Sequence, residues 1–409
     1  MAGMSRRRAF GNVALSATTL ILTLIVAELV LRLMFYGNFD RPQYGNTFHA
    51  PHPTRGWALR PDFEARMQEL DFNVSVRINS KGLRDREHDY ERTPGVFRIL
   101  IVADSAMIGS GVLMEENTPN RLGHILGDDN VEVVNLSVAA YSTVQEYVFF
   151  MEEGLKYRPD LVLLGFAPGN DIQTNYEPLQ RLFQKSLRRP YAKLDAAGDI
   201  VIDYSYAEAA VARESARPEP SAIGAFLRNT VLFRLGQATG RKFTGDKRVD
   251  PNIFLGWPYL EDFVPEYAVG GLTRADYERL WGEGWAVTRA LIRRMQAESQ
   301  RIGARFAMFV SPSKLQGDPE FRARVEAAFP NIRIDVAKID RELRAFGDSI
   351  DAPVLELLPA FLAAAGAGRS DLFYDFEDEH WTAPAHALVA EALARQLREL
   401  GLVPVGAGD

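Results

Sequence analysis

From residue 97 onward, short and almost uninterrupted apolar runs alternate with stretches of helical periodicity. The runs at 97–102, 131–135, 161–166, 305–310 and 353–357 are rich in Val, Ile, Leu and Phe. Between them the spacing predicts helices around 117–126 and 143–156. Strands that are apolar at every position have both faces covered, so the pattern predicts an α/β fold: a three-layer, doubly wound parallel sheet. A closing helix is predicted over about 383–400, with Leu388, Ala392 and Leu393 on one face and Leu397 following. The stretch 172–272 interrupts the alternation. It holds a predicted hairpin at 193–202, an amphipathic helix near 221–239 and an aromatic segment at 254–259. Because it begins directly after Asp171, at a strand end, it is expected to rise as a cap from that edge.

Upstream the pattern differs. Residues 36–96 are rich in proline, arginine and turn residues, with one alternating stretch at 72–78 that predicts a half-buried strand. Before that, residues 13–34 are almost wholly apolar, about the length that spans a bilayer as a helix. Arg6, Arg7 and Arg8 precede them, which keeps the N-terminus on the cytoplasmic side. Glu28 and Arg32, four residues apart, form a same-face pair near the outer end. The run exceeds a signal-peptide core and no clean cleavage site follows, so an uncleaved anchor is expected. The division is then a cytoplasmic tail (1–12), a transmembrane anchor (13–35), a membrane-proximal lead-in (36–96) and the α/β domain (97–401) with the cap (172–272) inside it. The expected location is a bacterial inner membrane, as a single-pass protein in contact with lipid, its α/β domain in the periplasm.

Composition narrows the chemistry. Of 409 residues, 47% are hydrophobic and 25% charged, enough for a substantial core. The net charge of −7 argues against nucleic acid as a partner. The absence of cysteine excludes disulfides, thiolate metal sites and cysteine nucleophiles. His49, His52, His88 and His124 show no metal-ligand spacing. Neither a metal nor a cofactor is expected.

Polar segments punctuate the strand ends: Asp104 and Ser105 with Gly109, then Asn135, then Gly169, Asn170 and Asp171, and far downstream Asp378, Glu379 and His380. In open parallel sheets ligands bind outside the carboxyl ends of the strands, so Ser105, Asn135 and Asn170 should crowd one edge. A serine, an amide, and a histidine with a nearby carboxylate are the parts of serine-based acyl transfer. Each has a plainer reading. Ser105 could cap a helix, Asn170 could simply follow glycine in a turn, and Glu377 or Glu379 could stand in for Asp378. His386 is read as a packed or surface histidine, and Arg289, Arg293 and Arg294 as a solvated helix face. Trp281 and Trp285 could stack on a sugar, but packing within the cap is the preferred reading. Asn73 and Asn135 match the glycosylation sequon; the second should be buried.

The four segments resemble, in order, the sequence blocks of the SGNH hydrolases, also called GDSL-type esterases. Residues 102–112 look like the nucleophile block, 135–143 like the second, 168–171 like the third and 378–383 like the last, while 78–85 is similar to a segment of membrane-anchored members. The resemblance covers roughly residue 50 to the C-terminus and implies a flavodoxin-like SGNH fold. It also implies roles. Ser105 would be the nucleophile, His380 the base, and Asp378 the group fixing the imidazole. The oxyanion donors would be the Ser105 N–H, the N–H at Ala140 and the Asn170 amide. Asp104, Gly169 and Asp171 would support them, Asp171 by orienting the loop of Asn170. Two positions depart from the family pattern: Ala103 and Ala140 stand where glycines are usual. Alanine keeps the N–H, but a positive φ at either site would cost about 1 kcal/mol.

The expectation is a membrane-anchored serine esterase that removes O-acyl groups, acetyl above all, from an envelope glycan. An O-acetyltransferase using the same triad is the alternative, which would need a multi-span membrane protein as partner. A non-catalytic envelope protein that keeps the fold is the third reading.

Overall fold

The computed structural model of the protein describes residues 2–34, 48–68, 72–127, 130–183, 187–216, 230, 261, 263–264, 271–374 and 380–404. The chain divides into two units. In the first, residues 1–43 and 217–248, the described part is helix α1 (Ala2–Met34) and residue 230. Leu20, Ile21, Leu24, Leu29 and Leu33 of α1 are exposed. Among the described residues, no helix is long and apolar enough to cross a membrane. Within the expected anchor, the side chains at 13, 14, 32 and 34 and the whole of residue 35 lie outside the described residues.

The second unit comprises residues 44–216 and 249–409. It opens with two antiparallel pairs, β1 (His49–His52) with β2 (Gly56–Leu59) and β3 (Phe63–Gln68) with β4 (Asn73–Ile78). The strand expected at 72–78 is therefore present as β4; its partner β3, which alternates apolar and polar residues from Phe63 to Gln68, is an additional strand. The central sheet uses β5 (Phe97–Ala103), β6 (Val131–Ser137) and β7 (Leu161–Phe166). A hairpin of β8 (Tyr191–Leu194) and β9 (Ile200–Asp203) intervenes where one was expected. Then β10 (Arg305–Val310) and β11 (Val354–Leu355) complete a five-stranded sheet in the order β6-β5-β7-β10-β11, every neighbour parallel.

Alternate residues of each strand enter opposite layers. Leu100, Val102, Val134, Leu136, Val162, Leu164, Met308 and Val310 share one core with α4 (Thr143–Glu152) and the helices Arg274–Arg301 and Lys338–Ser349. Ile99, Ile101, Val133, Leu163, Ala307 and Phe309 share the other with α3 (Thr118–Leu126) and the helices Leu358–Gly366 and Ala383–Glu399. Helices on both faces make the three layers. The β5–β6 crossover packs on one face through α3 and the β6–β7 crossover on the other through α4. The sheet therefore reverses its winding at β5/β7, a topological switch point.

Two boundaries differ from expectation. The run at 353–357 yields only a two-residue strand, because the Gln396 side chain takes over the backbone of Glu356, accepting from its N–H at 2.8 Å and donating to its carbonyl at 2.9 Å. Asn135 does not end β6, which runs on to Ser137. Asn135 is mid-strand and fully buried, and its amide donates to Met107 O at 3.0 Å. It braces the turn after β5 instead of joining the edge.

Residues 48–96 share the core of the sheet domain: Phe48, Leu59, Met67, Phe72, Val76, Ile78 and Leu83 are buried in the α4 layer. Of the expected cap, β8, β9 and the helix Ser205–Ser215 are described. The amphipathic helix near 221–239, apart from residue 230, and the aromatic segment 254–259 lie outside the described residues. Trp281 and Trp285 are buried, with Trp285 edge-on to Phe166, so they pack the core. Arg293 and Arg294 are exposed as expected, whereas Arg289 lies half-buried over the Trp285 ring at 4.8 Å.

Candidate active site

The chain leaves β5 into a four-residue helix, α2 (Ser105–Ile108). Its cap is Asp104, whose carboxylate accepts from the Ala106 N–H at 3.1 Å. Ser105 is therefore the first helical residue, and its hydroxyl is spared the capping role. Ser105 is half-buried, and its hydroxyl donates to Asp104 Oδ2 at 3.4 Å. The same oxygen accepts from Asn170 Nδ2 at 2.8 Å. One buried carboxyl thus joins the end of β5 to the loop after β7, across the switch point. A primary amide has two N–H donors, and this bond uses one and orients the other.

The Asn170 loop is held from within. Asp171 is fully buried and accepts from the Ala167 N–H at 2.6 Å, while Ala167 O accepts from the N–H groups of both Asn170 and Asp171 at 2.9 Å. Asp171 thus orients the loop. Gly169 is exposed, and a Cβ there would meet nothing within 4 Å.

The carboxyls beneath the site crowd one another. Burial raises Asp104 above the ordinary carboxylic range, opposed by its hydrogen bonds from Ala106, Asn170 and Ser105. Burial, then the Asp104 charge, pushes Asp171 well up. Glu146 on α4 is raised well above its usual value by burial, then by Asp171 and Asp104.

After β6, the turn closed by Tyr141 N–H to Val138 O at 3.2 Å presents Ala140 at φ 60. The left-handed region that glycine would take freely is occupied here by alanine. Ala103 is not among the residues with positive φ, so its substitution for glycine carries no such strain.

His380 lies in a loop closed by a bridge between Phe373 and Trp381. Trp381 Nε1 donates to Pro312 O at 2.9 Å, which pins Trp381 just beyond the carboxyl end of β10. The N–H of Tyr374 donates to His380 O at 3.2 Å, and Tyr374 Oη donates to Gly111 O at 2.8 Å. Tyr374 therefore rests on the chain leaving α2. Burial lowers the His380 imidazole to about 4, which leaves it neutral at pH 7. His386 is a packed histidine: it is buried, its Nδ1 accepts from the Thr118 N–H at 3.2 Å, and burial followed by the charges of Arg84, His380 and Arg121 lowers it to about 3. Asp378, with Glu377 and Glu379, lies outside the described residues. The described contacts bring Ser105, Asp104 and Asn170 together directly and bring His380 to the same edge through Tyr374.

Arg84, within the 78–85 segment, sits under the site. It is fully buried and donates to Ile108 O at 2.9 Å, to Gly109 O and to Val112 O at 2.5 Å. Burial lowers its guanidinium to about 10. It binds the carbonyls around the point where α2 stops at Gly109, whose φ of 81 ends the helix. A Cβ at Gly109 would come within 2.7 Å of Asn117 Cβ. An arginine in a polar lead-in carries no local sign of such burial.

No family model matches the chain. No curated protein matches it either. Among solved structures it is similar to a lipase/acylhydrolase from Enterococcus faecalis, at 11% identity over 75% of this chain and 97% of that one, with a TM-score of 0.35. It is also similar to the psychrotrophic esterase EstA from Pseudoalteromonas sp., at 12% identity over 75% of this chain and 99% of that one, with a TM-score of 0.32. A third is a variant acetyl xylan esterase from Geobacillus stearothermophilus, at 11% identity over 76% of this chain and 97% of that one, with a TM-score of 0.35. Likenesses this distant transfer neither a residue's role nor a substrate to this chain.

Proposed function

We propose that the protein is a serine esterase of the SGNH type acting on O-acyl esters. The observation that carries this reading is the Asp104 carboxyl, which caps α2 in place of Ser105 and holds Asn170 beside it. In the proposed reaction, Ser105 Oγ attacks the acyl carbon while His380 takes its proton. The oxyanion accepts hydrogen bonds from the Ser105 and Ala140 N–H groups and the free N–H of the Asn170 amide. Collapse breaks the ester bond, and His380 returns the proton to the leaving alkoxide. Water then attacks the acyl-enzyme, His380 takes its proton, and the acid leaves as Ser105 is restored. Asp378 is assigned the role of holding the imidazole.

The substrate we propose is an O-acylated, above all O-acetylated, carbohydrate of the cell envelope. The support for that placement is the apolar run at 13–34 behind three arginines, together with the exposed leucines and isoleucines of α1. The corresponding proposal for location is a single-pass inner-membrane protein with its catalytic domain outside the cytoplasm. Hydrolysis of an aryl acetate by the purified full chain tests the reaction. Ser105→Ala should lower kcat by about 10³-fold or more, and Asp378→Asn should also impair it strongly. Full activity in Ser105→Ala would overturn the mechanism.

A further inference from the structure

We propose that Trp57 and Arg189 are positioning residues that hold the strained Ala140 turn with its N–H aimed at the oxyanion. The catalytic side of this proposal rests on the esterase reading above. The Ala140 N–H belongs to the peptide unit whose carbonyl is that of Ala139. A trans peptide is a rigid plate with its C=O and N–H on opposite edges, so fixing one edge aims the other. Trp57 Nε1 donates to Ala139 O at 3.2 Å, on the edge opposite the proposed donor. The next plate is fixed as well, because Arg189 Nη1 donates to Ala140 O at 3.0 Å. Between the two plates sits the Ala140 Cα at φ 60. Both peptide units flanking the strained residue are therefore gripped from outside the turn.

The two grips brace each other. The Arg189 guanidinium lies over the Trp57 ring, 4.9 Å from its centroid. Tyr141 Oη donates to Trp57 O, tying the tryptophan's backbone to the residue after Ala140. A Cβ at Gly56 would run into Arg188 O, so glycine lets the segment before Trp57 meet the segment carrying Arg189. Arg189 also donates to Gln145 Oε1 at 3.0 Å and to Thr174 Oγ1 at 3.1 Å. Thr174 Oγ1 in turn donates to Asn170 O at 2.8 Å. One guanidinium thereby ties together the two loops that supply two of the three proposed oxyanion donors. Neither gripping residue belongs to the four blocks; Trp57 comes from the lead-in and Arg189 from the insertion.

The experiment measures aryl acetate hydrolysis and the thermal unfolding midpoint of the full chain for Trp57→Phe, Arg189→Lys, Ala140→Gly and the double variants. Trp57→Phe keeps a ring but lacks the N–H; Arg189→Lys keeps the charge but lacks the fork. Each should lower kcat by about tenfold to a hundredfold, with KM changed less than about twofold. Adding Ala140→Gly to either should recover most of the loss, because glycine adopts positive φ without being held there. Ala140→Gly alone should raise the unfolding midpoint more than it does in the Trp57→Phe background, where the turn can already relax. A loss confined to KM, double variants without recovery, or an equal gain in midpoint in both backgrounds would each overturn the proposal. Fluorophosphonate labelling of wild-type Ser105 separates the two readings. An inert serine removes the esterase reading and the catalytic half of this one, while the unfolding comparison still decides whether Trp57 and Arg189 hold the turn.

Discussion

A serine that opens a helix after a strand is ordinarily consumed as its cap. Asp104 takes that duty and leaves the Ser105 hydroxyl available. The same carboxyl binds Asn170 while sharing its surroundings with Asp171 and Glu146, an arrangement that costs stability because three acids are buried together. Asp104→Asn keeps a capping oxygen but turns an amide N–H toward the Asn170 amide. Steady-state kinetics and thermal melts should show kcat down by about 10²-fold and a melting temperature held or raised, since one of the crowded charges is gone. At this scale the sequence was partly legible. The polar punctuation after apolar runs marked Ser105 and Asn170, and the φ at Ala140 is the one that its departure from glycine put in question. Asn135 was misplaced because an asparagine closing an apolar run looks like a strand end, whereas here it hydrogen-bonds to Met107 O inside the sheet.

Among the elements, β5 and β6 are joined to the segment before them by a buried ionic chain. His88 lies between Asp85 Oδ2 at 3.0 Å and Glu132 Oε1 at 2.6 Å, and Glu132 Oε2 accepts from Arg98 Nε at 2.6 Å. Asp85 Oδ2 also accepts from the Asn135 N–H at 2.7 Å. Burial works against the charged imidazole, but hydrogen bonds and charge from Asp85 and Glu132 prevail and raise His88 to about 9. A histidine raised above its unfolded value near 6.5 contributes stability in full below that pH and loses it as pH rises through about 9. Denaturant melts should therefore weaken by about 2–3 kcal/mol between pH 6.5 and 9, and His88→Gln should flatten that slope. A wild-type slope unchanged by the substitution would remove His88 as its source. The main strands and helices were readable because burial on both faces imposes continuous apolar runs. β1 and β2 were not, since four-residue strands carry too short a pattern, whereas β3 does alternate apolar and polar residues from Phe63 to Gln68.

For the whole molecule, the lead-in before residue 97 shares a core with the sheet. Seven lead-in side chains, from Phe48 to Leu83, are buried with the sheet. At about 1.5–3 kcal/mol each, their burial is worth more than about 10 kcal/mol, comparable with the entire stability of an ordinary domain. A chain starting at residue 97 should therefore be insoluble or lack a cooperative unfolding transition, whereas one starting at residue 44 should melt cooperatively; circular dichroism distinguishes them. Turn-rich, arginine-rich segments usually lie on surfaces, so composition gives no sign that Arg84 of the lead-in is buried.

The lead-in also reaches beneath each part of the candidate site. Arg84 lies under α2, Trp57 behind the Ala140 peptide, and Phe72 against Tyr374 with ring centroids 5.1 Å apart, next to the His380 loop. Swapping in the corresponding stretch from another protein, or trimming it as spare linker, would pull the foundation from under all three at once. Grafting experiments that aim to transplant this chemistry must carry the foundation along with the reactive groups.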